Sequence, residues 1–284
     1  MELHGISLDV DKEKGFTYVF VIFVVFVLAA FYLGRLPKTK NLAVSILPTP
    51  TPYQFPYKNP VIPKNRSYRI VIVGDSIVDS LGPNANVLRE DLIGYYPDSE
   101  FVTYNYGYPS TNILSLYQRL TEDTVGNGER NEAVFELSFE LIIIESFGNN
   151  PLSEYPLAEG LKKQDEELER SVTAILSQKP NAALAFLTPI AFNPVNYAKS
   201  TRDLSAEERK KWVDERTAYV NNHKKFAEEK GIPVIDVYAA SLKSDGVVDG
   251  SYISDDFVHP SEKGIALISK SIADYIFANK IFPQ

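Results

Sequence analysis

Two short stretches at opposite ends of the chain hold the residues best suited to chemistry. One is Ile70-Val71-Ile72-Val73-Gly74-Asp75-Ser76, a β-branched run that rises into a glycine, an acid and a serine. The other is Asp255-Asp256-Phe257-Val258-His259-Pro260. A serine hydroxyl is a weak nucleophile until a base takes its proton. The chain has 3 histidines to supply that base. His4 precedes a long apolar run, and His223 sits in a Lys- and Glu-rich stretch (VNNHKKF) that predicts a solvated surface position. His259 remains. Asp256 lies one turn before it, so its carboxylate can reach the imidazole, fix the tautomer and stabilise the imidazolium. The same acids could also cap the helix opened by Pro260 and Ser261, and one loop can do both.

Acyl chemistry also needs donors for a developing oxyanion. The backbone N–H groups of Ser76 and Gly107 suit that task, since glycine permits close approach. The Asn150 side-chain amide is a third donor, just beyond the apolar run Leu141-Ile142-Ile143-Ile144. Each has a plainer reading. A serine after a strand is a common helix cap, and Gly148-Asn149-Asn150-Pro151 is an excellent turn. Asn150 alone reads as turn; together with Ser76 and His259 it reads as site.

The elements that must position these groups follow from apolar patterning. Runs at 69–74, 100–105, 140–146, 182–188 and 233–237 read as buried strands. Helical stretches lie around 84–95, 112–121, 157–178, 205–230 and 261–279. The fourth has Ser205 and Glu208 as an S-x-x-E capping box and Gly231 as its stop. Residues 122–136 are polar and poorly periodic, which predicts a loop or a weak helix. Alternation of this kind implies a parallel sheet with helices on both faces. In such a sheet all carboxyl ends share one edge, so Ser76, Gly107, Asn150 and the His259 loop can converge.

Composition narrows the possibilities further. The charge is −8 and there are no cysteines. Nucleic acid is not an expected partner, and thiol nucleophiles, disulfides and thiolate metal sites are absent. A metal hydrolase is unsupported with a single usable histidine and no H-E-x-x-H. No G-x-S-x-G elbow and no G-x-G-x-x-G occurs, which excludes an ordinary α/β-hydrolase and a dinucleotide-binding unit. Neither a cofactor nor a metal is expected.

Phe16 to Gly34 is an unbroken uncharged run. A helix of that length spans about 28 Å, enough for a bilayer core. Its upstream flank is not net positive and no small-x-small cleavage site follows, which favours an uncleaved anchor over a signal peptide. The proline-rich segment beyond it (PTPTPYQFPYKNPVIPK) reads as a semi-rigid stalk. The expected organisation is a tail at 1–15, a transmembrane helix at 16–34, a stalk at 35–66 and a catalytic domain at 67–284. Basic residues flank the anchor almost equally, and long domains translocate largely regardless of that bias. The stalk argues for a catalytic domain outside the cytoplasm.

The pattern resembles the GDSL or SGNH hydrolases. Their four blocks correspond here to Val73-Gly74-Asp75-Ser76, Asn105-Tyr106-Gly107, Gly148-Asn149-Asn150 and Asp256-x-x-His259-Pro260. The resemblance spans roughly Arg69 to Ala278. Pro151 stands where the family usually has Asp, and Ile77 where Leu often follows the serine. The resemblance implies a three-layer α/β/α sandwich with a flavodoxin-like parallel sheet of about five strands. It also implies hydrolysis of esters or thioesters through an acyl-serine. Substrates consistent with a tethered enzyme are O-acyl or acetyl esters of cell-envelope glycan or lipid. The alternatives are acyl transfer to a glycan hydroxyl, and a catalytically silent anchored domain that binds glycan or lipid.

Overall fold

The computed structural model describes residues 55–284. The expected tail, the transmembrane helix 16–34 and most of the stalk lie outside the described residues. In chain order the elements are β1 (Ser67–Gly74), α1 (Ser76–Asp79), α2 (Asn86–Tyr95), β2 (Glu100–Gly107), α3 (Leu116–Thr121), β3 (Thr124–Gly126), β4 (Glu129–Asn131) and β5 (Leu141–Glu145). They continue with α4 (Leu157–Gln178), β6 (Ala183–Leu187), α5 (Ala206–Lys230), β7 (Val234–Ile235), α6 (Val237–Ala240) and α7 (Glu262–Ala278).

Five strands form one sheet in the order β2-β1-β5-β6-β7, and every pairing in it is parallel. Strand side chains alternate between faces. In β5, β6 and most of β1 both faces are buried, which is why those strands are largely apolar, whereas the edge strand β2 alternates exposed and buried residues. Ile70, Ile72, Leu141 and Ile143 pack with Leu88 and Leu92 of α2 and with Ile268, Ile272 and Ile276 of α7. Val71, Val73, Ile142 and Ile144 face the other way, onto Leu116 and Leu120 of α3, Leu168 and Val172 of α4 and Phe226 of α5. The result is a helix, sheet, helix sandwich. The chain passes from β1 outward to β2, then returns to place β5 on β1's other side. Where strand order reverses in this way, the loops at the carboxyl ends of the two central strands part and leave a crevice.

Three local expectations change. Residues 122–136 are not a loop or weak helix but contain the β3–β4 hairpin, paired antiparallel from Thr124↔Asn131 to Gly126↔Glu129. Its strands are too short and polar to show alternation. They are held from outside, where the Tyr106 hydroxyl donates to Glu132 O at 2.7 Å and Tyr108 bonds Thr124 Oγ1 at 3.0 Å. Residues 55–66, expected as the end of the stalk, pack on the domain instead. Tyr57 and Ile62 are buried, and Leu184 N donates to the Tyr57 hydroxyl at 2.7 Å. The prolines set an extended path from which Tyr57 and Ile62 reach the core, while Val61 faces solvent. His223, expected at the surface, is fully buried. It lies on the α5 stripe with Tyr219, Val220, Phe226 and Ala227 that faces the sheet and stacks on Phe186 with ring centroids 4.1 Å apart.

Candidate active site

Ser76 is the first residue of α1, which starts immediately after β1. Two glycines allow so short a turn. A Cβ on Gly74 would fall 2.4 Å from Val78 Cγ2, and one on Gly107 would fall 2.1 Å from Asp79 N. No side chain fits either position, so α1 lies directly on the ends of β1 and β2. Asp75 caps α1, its Oδ1 accepting from Ile77 N at 2.9 Å. Asn105 fastens the far side of the turn, its amide donating to Val78 O and Gly82 O, each at 2.8 Å.

His259 arrives from a loop that doubles back. Phe257 adopts the left-handed conformation at φ 60°, a costly backbone state for a bulky residue. The bend brings Asp256 under the ring. Asp256 Oδ2 lies 2.5 Å from His259 Nδ1. Its Oδ1 accepts from Ser254 Oγ at 2.7 Å, Val258 N at 2.8 Å and His259 N at 2.9 Å. Burial alone would raise the Asp256 carboxyl, but these bonds, His259's first, outweigh it and hold the group well below the usual carboxylate range. On the other side of the ring, His259 Nε2 lies 2.8 Å from Ser76 Oγ. Ser76, His259 and Asp256 therefore form one continuous hydrogen-bonded chain. Asp255 takes no part in it; its backbone carbonyl accepts from Ser200 Oγ at 3.0 Å.

The loop after β5 carries Asn150 to the same edge. It is a turn, closed by Asn150 N donating to Phe147 O at 3.0 Å, with Phe147 left-handed at φ 54°. The Asn150 side chain also reaches the site. Its Nδ2 donates to Asp75 Oδ2 at 2.9 Å, and an amide nitrogen has a second hydrogen to give. Asn150 thus closes the turn and also turns its amide towards the Ser76 edge. Gly107 differs. Its N–H donates to Asn105 Oδ1 at 2.8 Å, so the backbone donor expected there already has an acceptor.

Three buried ionisable residues brace this edge. Arg119 is only 1% exposed, yet it donates to Gly74 O at 2.7 Å, Tyr106 O at 2.8 Å and Ser115 Oγ at 2.8 Å, and to Thr111 Oγ1. It thus ties the ends of β1 and β2 to the loop between β2 and α3. Burial lowers its guanidinium to about 10, still charged at neutral pH. Glu145 ends β5, where its carboxyl accepts from Ser146 Oγ and Phe147 N, each at 2.7 Å. Burial first, and then the charge of Asp75, push Glu145 well above the ordinary carboxyl range, against the hydrogen bonds from Ser146 and Phe147. Burial also raises Asp75, against the pull of Ile77 N, Asn150, His259 and Arg119. A charged residue on the α3 stripe beside Leu116 and Leu120 was the one sequence sign of Arg119. Asp75 and Asn105 stood inside the Val73-Gly74-Asp75-Ser76 and Asn105-Tyr106-Gly107 blocks with no sign of what they would bond, and Glu145 had only its place at a strand end.

The sequence matches no family model and no curated protein. Solved structures do resemble the chain. A lipase/acylhydrolase from Enterococcus faecalis is 18% identical over 75% of this chain and 96% of its own, with a TM-score of 0.52. An acetylxylan esterase from Geobacillus stearothermophilus is 18% identical over 79% and 97%, with a TM-score of 0.52. A G-D-S-L family protein from Desulfitobacterium hafniense DCB-2, described as lipolytic, is 17% identical over 76% and 99%, with a TM-score of 0.51. At these identities the likeness establishes the fold: a parallel-sheet α/β sandwich of the kind found in G-D-S-L hydrolases.

Proposed function

We propose that this chain is a serine ester hydrolase of the SGNH type, acting on an O-acyl or acetyl ester of cell-envelope glycan or lipid. One observation carries the reading, the unbroken path from Asp256 Oδ2 through His259 to Ser76 Oγ at 2.5 and 2.8 Å. Ser76 Oγ attacks the ester carbonyl carbon and its proton passes to His259 Nε2. Asp256 remains ionised and stabilises the imidazolium. The Ser76 N–H, which has no intrahelical acceptor at the first helical position, and the second hydrogen of Asn150 Nδ2 hold the oxyanion. Gly107, whose N–H is taken by Asn105, serves by letting α1 lie against β2. Collapse breaks the ester C–O bond, and the leaving alcohol takes the proton from His259. Water then gives its proton to the same nitrogen and attacks the acyl-serine, and the acid leaves as Ser76 Oγ takes that proton back from His259.

The names of the resembling structures support ester chemistry, acetyl esters of xylan among them. The apolar run 16–34 supports a single-pass anchor, and the proline-rich segment after it supports a catalytic domain outside the cytoplasm. Protease added to intact cells is then expected to release the domain; degradation only after lysis would place it inside. The catalytic reading is tested on the full-length chain with p-nitrophenyl acetate and a fluorophosphonate probe. Wild type should turn over the ester and take up the probe, and Ser76→Ala should do neither. Equal labelling of both proteins would overturn Ser76 as nucleophile, and no labelling of either would favour a silent binding domain.

A further inference from the structure

A groove of about 580 Å³ runs along the outer edge of β2, between that strand and the β3–β4 hairpin. Its position connects it to the reaction. Asp79 lines it and closes α1, the helix that Ser76 opens. Residues three apart on a helix share a face, with Cβ atoms about 5–6 Å apart. The groove therefore begins one helical turn from the nucleophile. Its far wall is fixed to the same residue, because Asn127 of the hairpin donates to Asp79 Oδ1 at 2.6 Å.

The lining selects a ligand class. Four asparagines, Asp79, Glu129 and three tyrosines face the groove, and neither Lys nor Arg does. A phosphate, sulfate or uronate would meet two carboxylates and no cation. An acyl chain would strip water from the amides and carboxylates and return no hydrogen bonds, a costly exchange. A neutral polyhydroxyl compound suits both parts of the wall, with hydroxyls on the amides and carboxylates and C–H faces on the rings. Two groups have bonding capacity to spare. The Tyr104 hydroxyl and the Asn84 side chain line the groove and make no hydrogen bond among the described residues. Tyr106 and Tyr108 are held by their hydroxyls on Glu132 O and Thr124 Oγ1, so the wall is rigid before a ligand arrives.

We propose that this groove holds the sugar residues next to the scissile ester, which makes the substrate a neutral O-acylated glycan and not a lipid. The inference rests on Ser76 being the nucleophile, and the experiment separates the two. Full-length wild type, Tyr104→Ala and Asn84→Ala are assayed on short O-acetylated xylo- and chito-oligosaccharides and on p-nitrophenyl acetate. The ratio of kcat/KM on the better oligosaccharide to kcat/KM on the small ester is expected to fall about five- to tenfold on loss of the ring. A smaller fall is expected for Asn84→Ala, whose exposed position keeps the test valid if Tyr104→Ala folds poorly. Unchanged ratios in both variants would overturn the groove, as would a wild type that prefers a long-chain ester to either glycan. If wild type hydrolyses nothing, the nucleophile reading fails by itself. Calorimetric titration of Ser76→Ala with the same oligosaccharides then decides the groove: binding weakened by adding Tyr104→Ala supports it, and no binding overturns it.

Discussion

His259 and His223 sit on opposite sides of one functional divide. The His259 side chain is 38% exposed, and both ring nitrogens are met, one by Asp256 and the other by Ser76. His223 is buried under α5, and neither of its ring nitrogens makes a hydrogen bond. Burial pushes its imidazole down to about 3, with the nearby Ile144 backbone offsetting only part of that. In the proposed mechanism the first ring takes and returns a proton. The other is kept neutral and serves as an aromatic packing piece against Phe186. A shared side chain thus does two unrelated jobs, and the difference lies in which atoms the fold brings to its nitrogens.

The contrast can be broken most sharply by removing each ring in turn. His259→Ala should cut ester turnover about 10⁴-fold or more and leave the urea midpoint close to wild type. His223→Leu should do the reverse, keeping most turnover in the folded fraction. Comparable activity losses in both would erase the distinction.

The carboxylate on His259 gives the next largest effect. Asp256→Asn should lower kcat about 10³–10⁴-fold by spoiling the tautomer, whereas Asp255→Asn should change it little. Equal losses at the two positions would mean the bond to His259 Nδ1 is not what matters.

Asn150→Ala should lower kcat about 10²–10³-fold with KM nearly unchanged, as expected when an oxyanion donor is lost. Because Asn150 also closes a turn and bonds Asp75, the kcat and KM split is the informative reading. A fall in melting temperature with kcat preserved would leave only the turn.

The smallest effect sharpens the His223 side. Its folded value of about 3 lies below the unfolded value of about 6.5. The stability gained by keeping the ring neutral is complete above pH 6.5 and is lost as pH falls towards 3, by about 1.4 kcal/mol per pH unit. Between pH 7 and pH 5, wild type should lose about 2 kcal/mol more than His223→Leu, read from urea midpoints. Parallel losses would show that the ring is already charged in the fold; the carboxyls of Asp75 and Glu145, common to both proteins, cancel in the comparison.

Local rules carried far along this chain. α5 runs Ala206–Lys230 because Ser205 and Glu208 form the capping box and Gly231 turns left-handed at φ 69°. α4 begins and ends where its apolar periodicity does. The central strands β1, β5 and β6 were visible because burial on both faces leaves little polar alternation to confuse the pattern. The β3–β4 hairpin was not, because its three-residue strands are stabilised by partners elsewhere in the chain. His223 was misread from its neighbours Asn222, Lys224 and Lys225, although counting helical positions from Tyr219 and Val220 through Phe226 and Ala227 places it on the buried stripe.

By itself the sequence determined the element types, the parallel sheet they imply, and the few residues with chemistry to offer. Apolar period, caps and glycine stops are local properties, and scarcity of histidine is a matter of counting. Only the tertiary structure decided which of those residues meet. The return of the chain to place β5 beside β1 puts Asn150 against Asp75. The left-handed bend at Phe257 swings His259 onto a serine far away in sequence. The close approach of α1 to β2 commits the Gly107 N–H to Asn105 and opens a groove beyond Asp79. Those distances depend on strand order and loop closure over more than a hundred residues, which no local pattern encodes.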